Sequence, residues 1–421
     1  MVIPLSLVFR SNLTIHSGNR STAAIRVFAA FELALIVATW PLWGGKTEFP
    51  EVPMWPIAAT TGNWSTFSLL ILLMVSAVGL MVCSRRNGDS SRVGKYSAMA
   101  ALLAGILLVV MNQHRLQPWH WLFLLNVGSL LFVPPQHLLA VMRHTISTVY
   151  VCSALSRITP TPPGSATGMI VRQLLTTFGL TGWTSNEPAF VAICHVLTSG
   201  ELLIGLLLLF RKTQCWGCVG AVSLHALLLL ALGPLGLNHH AGVLLWNLCF
   251  IFIVPTLFWG TDLPQSTIPS GEFDRRRLAT IAVWLFPVSG LFSLADNWPS
   301  WQLYSSRPES WILYVHETAR SALPVSVQSF ISDPAPMDDW CAVKLDRWSL
   351  EQTRSPIYPE DRFQFAIIRR ILADAPEDLK FRIEISSPET VRWWRREMRQ
   401  ISSAEALSLE QSRFLLGTMA N

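Results

Sequence analysis

Five side chains stand in stretches where a lipid-facing sequence should not carry them. Glu32, His195, Glu201, His225 and Asn247 each fall inside a long apolar run. An ionisable group there costs at least ~2.5 kcal/mol unless it finds a partner or a task. Glu201 is the sharpest case, in Leu197-Thr-Ser-Gly-Glu-Leu-Leu-Ile-Gly205, with Thr198 one turn earlier on the same helical face. Brought together inside a bundle, such groups could relay protons or bind a ligand, with Glu201 and His225 as acid and base and Glu32 and Asn247 as further members. The same residues also read as a structural hydrogen-bond network, with Glu32 or Glu201 neutral or paired to His225.

Cys215-Trp-Gly-Cys218 is a second chemical motif. On a helix the two thiols share a face, and Arg211, Lys212 and a helix N-terminus would favour thiolate, so the pair could exchange electrons with a quinone or a thioredoxin-like partner. Against this, Cys83, Cys152, Cys194 and Cys249 lie inside apolar runs as small fillers, and the motif falls on the reducing side of the membrane. His239 and His240 are adjacent and point apart, with no HExxH or acidic partner, so they read as a turn and no metal site is expected. The acidic pairs near the C-terminus read as solvated faces.

These groups need a scaffold, and composition supplies its class. Of 421 residues 51% are hydrophobic and 14% charged, with 18 Trp; soluble domains carry about 25% charge. Disorder is excluded, an ordinary soluble enzyme is disfavoured, and a polytopic α-helical membrane bundle is expected. Runs near the ~20 residues that cross ~30 Å of hydrocarbon fall at 22–43, 64–83, 95–112, 119–134, 136–157, 189–210, 216–235, 243–259 and 278–294, about nine spans. With residues 1–21 as a cytoplasmic leader, 13 Lys and Arg fall on the inside segments and 4 in the outside loops, as the positive-inside rule requires. That places the C-terminus outside the cytoplasm.

Residues 1–294 hold 17 basic and 9 acidic residues, whereas 295–421 hold 15 and 18. A transmembrane domain over 22–294 and an extracytoplasmic α+β domain over 295–421 are therefore expected. In the tail, Val343 to Trp348 and Leu379 to Ile385 alternate as strands, Pro359-Glu360-Asp361 opens a helix that runs to Arg369-Arg370, and further helices start at Ser387-Pro388-Glu389 and at Ser403. Trp311 to Val315 are expected to be exposed and to pack on the membrane half. The segment 158–188 reads as an outside loop with an interfacial or re-entrant helix over Met169 to Trp183. Trp40, Trp43, Trp55, Trp64, Trp119, Trp121, Trp183, Trp216 and Trp259 near span ends read as an aromatic belt. No P-loop, GxGxxG, zinc finger or RNP motif is present in the sequence, and a nucleic-acid partner is not expected.

Several short motifs together resemble the DoxX-like and MauE-like bacterial membrane proteins, in particular longer members with an extra C-terminal domain. His114-Arg-Leu-Gln-Pro-Trp119 resembles their turn after the third span. Tyr150-Val-Cys-Ser-Ala-Leu-Ser-Arg157 is similar to a Tyr-x-x-Ser-Gly-x-x-Lys pattern, with Ala154 and Arg157 as departures. Glu201-Leu-Leu-Ile-Gly205 resembles their sixth helix, and His225 is followed by Gly233-Pro234, Asn238 and Trp246-Asn247, with Leu244 and Leu245 where Trp and Pro would stand. Trp348 and Pro356 to Arg362 are similar to their tail. The resemblance covers residues 100–260 and part of the tail. It implies a bacterial inner-membrane bundle associated with thiol or quinone redox systems, and supplies no active site. A more distant likeness is to the transmembrane domain of vitamin K-dependent carboxylase-like proteins.

Three functions remain open on the sequence. One is an accessory inner-membrane protein, redox-associated by resemblance with a quinone as possible cofactor, whose tail docks an extracytoplasmic protein. Another is a membrane enzyme on a lipidic substrate with Glu201 and His225 as acid and base. The third is a transporter, disfavoured by the absence of an inverted repeat.

Overall fold

The structure, a computed structural model, describes residues 17–56, 58, 63–82, 92–260, 275–376, 378–389 and 392–420. The first half comprises α1 (Ser17–Ala38), a short α2 (Trp40–Trp43), α3 (Asn63–Val82), α4 (Arg92–Met111), α5 (Pro118–Phe132) and α6 (Pro135–Arg157). Next come α7 (Ala166–Thr177), the one-turn α8 (Gly182–Ser185), α9 (Glu187–Leu209), α10 (Gln214–Leu232), α11 (Ala241–Phe258) and α12 (Arg275–Gly290). Seven of these, α1, α3, α4, α6, α9, α10 and α11, are long and apolar enough to cross a membrane, so the protein is membrane-embedded. α5 and α12 are shorter, at 15 and 16 residues.

Prolines set the breaks. Pro118 and Pro135 each occupy a first helical position, where the missing N–H costs nothing. Pro134 drives Val133 out of the helical region, which ends α5. Small residues let helices approach. A Cβ added to Gly205 of α9 would lie 2.8 Å from a methyl of Val151 and 3.0 Å from the Tyr150 Cβ, so α6 and α9 pack closely here.

The tail is a four-stranded antiparallel sheet in the order β2-β1-β3-β4. In chain order it contains β1 (Ser310–His316), α13 (Val325–Gln328), β2 (Trp340–Ala342), α14 (Leu345–Thr353), α15 (Asp361–Ala373), β3 (Phe381–Pro388), β4 (Arg396–Ile401) and α16 (Ala404–Glu410). Trp311, Leu313 and Val315 of β1 and Ile383 and Ile385 of β3 share a core with Phe363, Ile367, Ile368 and Ile371 of α15. Three expectations are corrected. Trp311 to Val315 form a buried sheet strand rather than an exposed patch. Val343 to Trp348 leads into α14, because a short alternation also fits the buried face of a helix carrying Leu345, Trp348 and Ser349. Ser387-Pro388 ends β3 and the chain returns as β4, so no helix starts there.

The tail sits on the end of the bundle where α4 and α6 finish and α5 and α9 begin. Phe49 and Val52, Val109 of α4 and Leu116 belong to the tail's core. At the opposite end Arg143 donates to the Leu257 carbonyl through Nε at 2.7 Å and Nη2 at 2.6 Å, and Arg20 donates to that of Trp259. The stretch expected to be interfacial forms α7 and α8. Ile170, Val171 and Leu175 are buried, while Met169, Phe178, Leu180 and Trp183 are exposed. Trp40, Trp55, Trp64, Trp183, Trp216 and Trp259 are exposed. Trp43 and Trp119 are corrected: both are buried, 5.5 Å apart, in the bundle core.

Candidate functional site

α6, α9, α10 and α11 enclose a cavity of about 50 Å³, room for a few waters. Tyr150, Ser153 and Arg157 project into it from α6 at helical spacings of three and four, Glu201 and Leu197 from α9, His225 from α10, and Asn247 and Trp246 from α11. Leu303 and Tyr304, from the segment between α12 and β1, close the tail-side end. Glu201, His225 and Asn247 are thus brought to one cavity, as the sequence suggested.

Their pairing differs from expectation. Glu201 forms an ion pair with Arg157, the last residue of α6, with side chains 12% and 8% exposed. His225 pairs with Tyr150 instead. Tyr150 Oη lies 2.8 Å from Nε2 of His225, and Nδ1 lies 2.9 Å from Asn247 Oδ1. Asn247 Nδ2 donates to the Val243 carbonyl at 2.8 Å, which fixes Oδ1 toward the imidazole. A carboxamide oxygen only accepts, so His225 carries its proton on Nδ1, and Nε2 accepts from the Tyr150 hydroxyl. The line Tyr150, His225, Asn247 therefore presents a phenol to the cavity with a base behind it and the base held in one tautomer. Beside it stands a guanidinium-carboxylate pair able to stabilise a charge that develops during proton transfer.

Glu32 is not part of this group. It sits in the other half of the bundle, where Oε1 is 2.6 Å from His120 Nδ1 and both side chains are fully buried. The ring of Trp43 packs at 5.0 Å from the imidazole and that of Trp119 at 6.0 Å. The expected pairing of Glu32 with His225 is corrected to His120, which is enclosed because Gly105 of α4 leaves room: an added Cβ would meet the His120 ring at 3.1 Å. His195 is half-buried and does not line the cavity, because two residues separate it from Leu197 and a helix turns about 200° over that distance. Cys215 is exposed and Cys218 buried, both free thiols, at the start of α10 and two turns or more from His225. Cys83 lies outside the described residues. Among the described residues no group of three or more His, Cys, Asp or Glu could hold a metal ion.

Sequence reasoning missed Tyr150, Arg157 and His120 as partners. The spacing of Tyr150 and Arg157, seven residues apart on one helical face, was the available signal; for His120 it was its place as an ionisable group inside the apolar run 119–134.

The turn His114 to Trp119 is the tail's mooring. Gln113 Nε2 donates to the carbonyls of Pro53 at 3.1 Å and Gly417 at 2.9 Å, and Gln113 Oε1 accepts from Arg362 Nε at 2.8 Å. Arg115 reaches the Leu42 carbonyl at 3.2 Å and Glu51 at 2.8 Å. His114 is buried, its Nε2 donating to the Pro356 carbonyl at 2.9 Å. Burial pushes the His114 pKa down to about 4, against a smaller upward pull from that carbonyl. Below pH 6.5 the unfolded chain binds a proton that the docked imidazole refuses, so His114 makes stability fall as pH descends from 6.5 toward 4. The difference reaches about 3 kcal/mol. Glu360, near Asp296, acts in the opposite sense: burial and that carboxylate hold its acid above the ordinary range, so its contribution is lost as pH rises. A comparison with His114→Gln isolates the first effect. The stability of the wild type relative to the variant should shrink between pH 6.5 and 4 in thermal-unfolding profiles; a constant difference would show that His114 is protonated freely in the folded protein.

No family model matches the chain, and neither a curated protein nor a solved structure does.

Proposed function

We propose that the protein is a multi-pass membrane enzyme that moves a proton on an amphiphilic substrate, with His225 as the base and Glu201, through its pair with Arg157, as the charge-balancing group. The observation that carries this reading is their convergence from different helices on one cavity, beside Tyr150, Arg157 and Asn247. A purely structural network would need neither an open space nor a base whose acceptor nitrogen is aimed at a second acid. The Tyr150 oxygen takes a proton from the substrate as its own hydroxyl proton passes to His225 Nε2, the proton returns by the same path, and the Arg157-Glu201 pair balances the charge left on the substrate. The test is mass spectrometry of a membrane lipid extract incubated with the full chain in deuterated buffer. A lipid class should gain deuterium or change mass with the wild type and not with His225→Gln or Glu201→Gln. Absence of any altered species with the wild type would defeat the enzymatic reading.

The proposal includes nine crossings, with the N-terminus cytoplasmic and the tail outside. It is supported by the 13 to 4 bias in Lys and Arg and by the gathering of helix ends around the tail. α5 and α12 would cross a bilayer locally thinned or filled by neighbouring helices, since 15 and 16 residues rise about 22 and 24 Å. An alkaline phosphatase fused to the C-terminus should be active in a bacterial host; an inactive fusion would reassign the tail to the cytoplasm. Affiliation with the DoxX-like and MauE-like group remains part of the proposal, supported by the structural use of His114 to Trp119 and Tyr150 to Arg157. A thiol or quinone redox role would run through Cys215 and Cys218, away from the cavity, and is separate from this chemistry.

A further inference from the structure

A groove of about 900 Å³ opens between the tail and the membrane half. Loop 159–165 and the first turns of α9 form one wall; the start of β1, the residues after β2 and the segment before β4 form the others. One short segment separates this groove from the cavity: Leu303 and Tyr304 line the cavity, and Ser305 and Ser306 line the groove. Tyr304 adopts a left-handed backbone with φ of 55°, a conformation that an aromatic residue takes up only when its surroundings enforce it. Ser305 is tied to the Ser156 carbonyl at 3.0 Å, one residue from Arg157.

From the groove's lining we infer that it binds the sugar head of a glycosylated amphiphile, with Tyr304 standing between that head and the cavity. Hydroxyl side chains line it from both halves of the protein, including Thr159, Thr161 and Ser165 on one side and Ser306 and Ser310 on the other. Its charges are mixed, Glu187, Glu309 and Asp346 against Lys344 and Arg396, so there is no cationic excess of the kind that selects a phosphate head. Carboxylates accept from sugar hydroxyls, and a flat ring takes the apolar face of a pyranose. Trp394 offers such a ring, 39% exposed. It is propped by Trp393 at 5.0 Å and 77°, itself held by a hydrogen bond to the Ile158 carbonyl at 3.2 Å and by the Arg307 guanidinium 3.6 Å above its ring. An amphiphile fits because the groove lies where the apolar bundle meets the polar tail, so a sugar head can seat there while its chain stays in the lipid.

This inference rests on the enzymatic reading for its substrate role, and the binding test is independent of turnover. The full chain in phosphatidylcholine nanodiscs is titrated with dodecyl maltoside and, separately, with dodecylphosphocholine, each below its micelle-forming range, while thermal unfolding is followed. The maltoside should raise the midpoint saturably, and the phosphocholine of equal chain length should not. Trp394→Ala and Asp346→Asn, both at exposed positions, should raise the half-saturating maltoside concentration by about tenfold, whereas Glu201→Gln should leave it unchanged. Equal shifts with both amphiphiles, or an unaltered maltoside response in Trp394→Ala, would overturn the assignment. If maltoside binding fails while lipid conversion still requires Glu201, the groove is wrong and the cavity stands; the reverse pattern leaves the groove and removes the enzyme.

Discussion

Glu201→Leu is expected to destabilise the bundle by about 3 to 5 kcal/mol, since it strips a buried guanidinium of its counter-charge. Arg157 retains 8% side-chain exposure, too little for water to replace the carboxylate. Glu201→Gln keeps the shape and a hydrogen-bond acceptor yet loses the charge, and should fall between the two. The diagnostic variant is the double substitution Arg157→Met with Glu201→Leu. Removing both charges abolishes the desolvation cost along with the attraction, so the double variant should recover most of the stability lost by Glu201→Leu alone. Denaturant or thermal unfolding in one detergent, scored for the wild type, Arg157→Met, Glu201→Leu and the double variant, gives the coupling. Wild-type stability for Glu201→Leu would show that the pair is not formed in the membrane, and the acid-base reading would lose its charge-balancing element with it.

The cost of burying polar groups made the candidate positions legible in the sequence, while their partners were hidden in the third dimension. Glu201, His225 and Asn247 stand out because hydrocarbon tolerates no idle polar group, and that argument needs only the run of apolar neighbours. Which partner satisfies each group depends on how α6 rotates against α9, and that in turn depends on Gly205 admitting Tyr150 and Val151. A one-dimensional reading has no access to that rotation. Arg157 was missed for a related reason: an arginine at a span end reads as a loop residue, because its long side chain reaches back into the bundle only when a carboxylate waits there. In the tail, α15 and α16 were legible through their caps and first-turn acids. β1 was not, since its exposed and buried residues alternate for only seven positions and its apolar content suggested a docking patch. Pairing with β3 on one side and β2 on the other is what buries it.

Arg362→Met is expected to release the tail from the bundle. Arg362 is 8% exposed. Its Nη1 donates to Asp296 Oδ1 at 2.9 Å, its Nη2 to Asp296 Oδ2, and its Nε to Gln113 Oε1 at 2.8 Å. One side chain on α15 thus joins the segment after α12 to the turn before α5, and Tyr358 donates a further bond to Asp296 at 2.5 Å. Without the guanidinium, the half-buried Asp296 stays beside the buried Glu360, two acids with no cation between them, and Gln113 loses a partner. Loss of one member of such a pair costs about 3 to 5 kcal/mol, which corresponds to an increase of roughly 10² to 4 × 10³ in the population of the undocked tail. Arg362→Lys should cost less, because the charge remains while the two-pronged contact and the bond to Gln113 cannot both be kept. Limited proteolysis of the full chain in detergent reads the effect as faster cleavage between α12 and β1, at protease concentrations low enough that cleavage follows the open population. Unchanged cleavage in Arg362→Met would mean that the apolar contacts of Phe49, Val52, Val109 and Leu116 hold the tail by themselves. In that event the groove would keep its shape without the ion pair, and the mooring would be hydrophobic in origin.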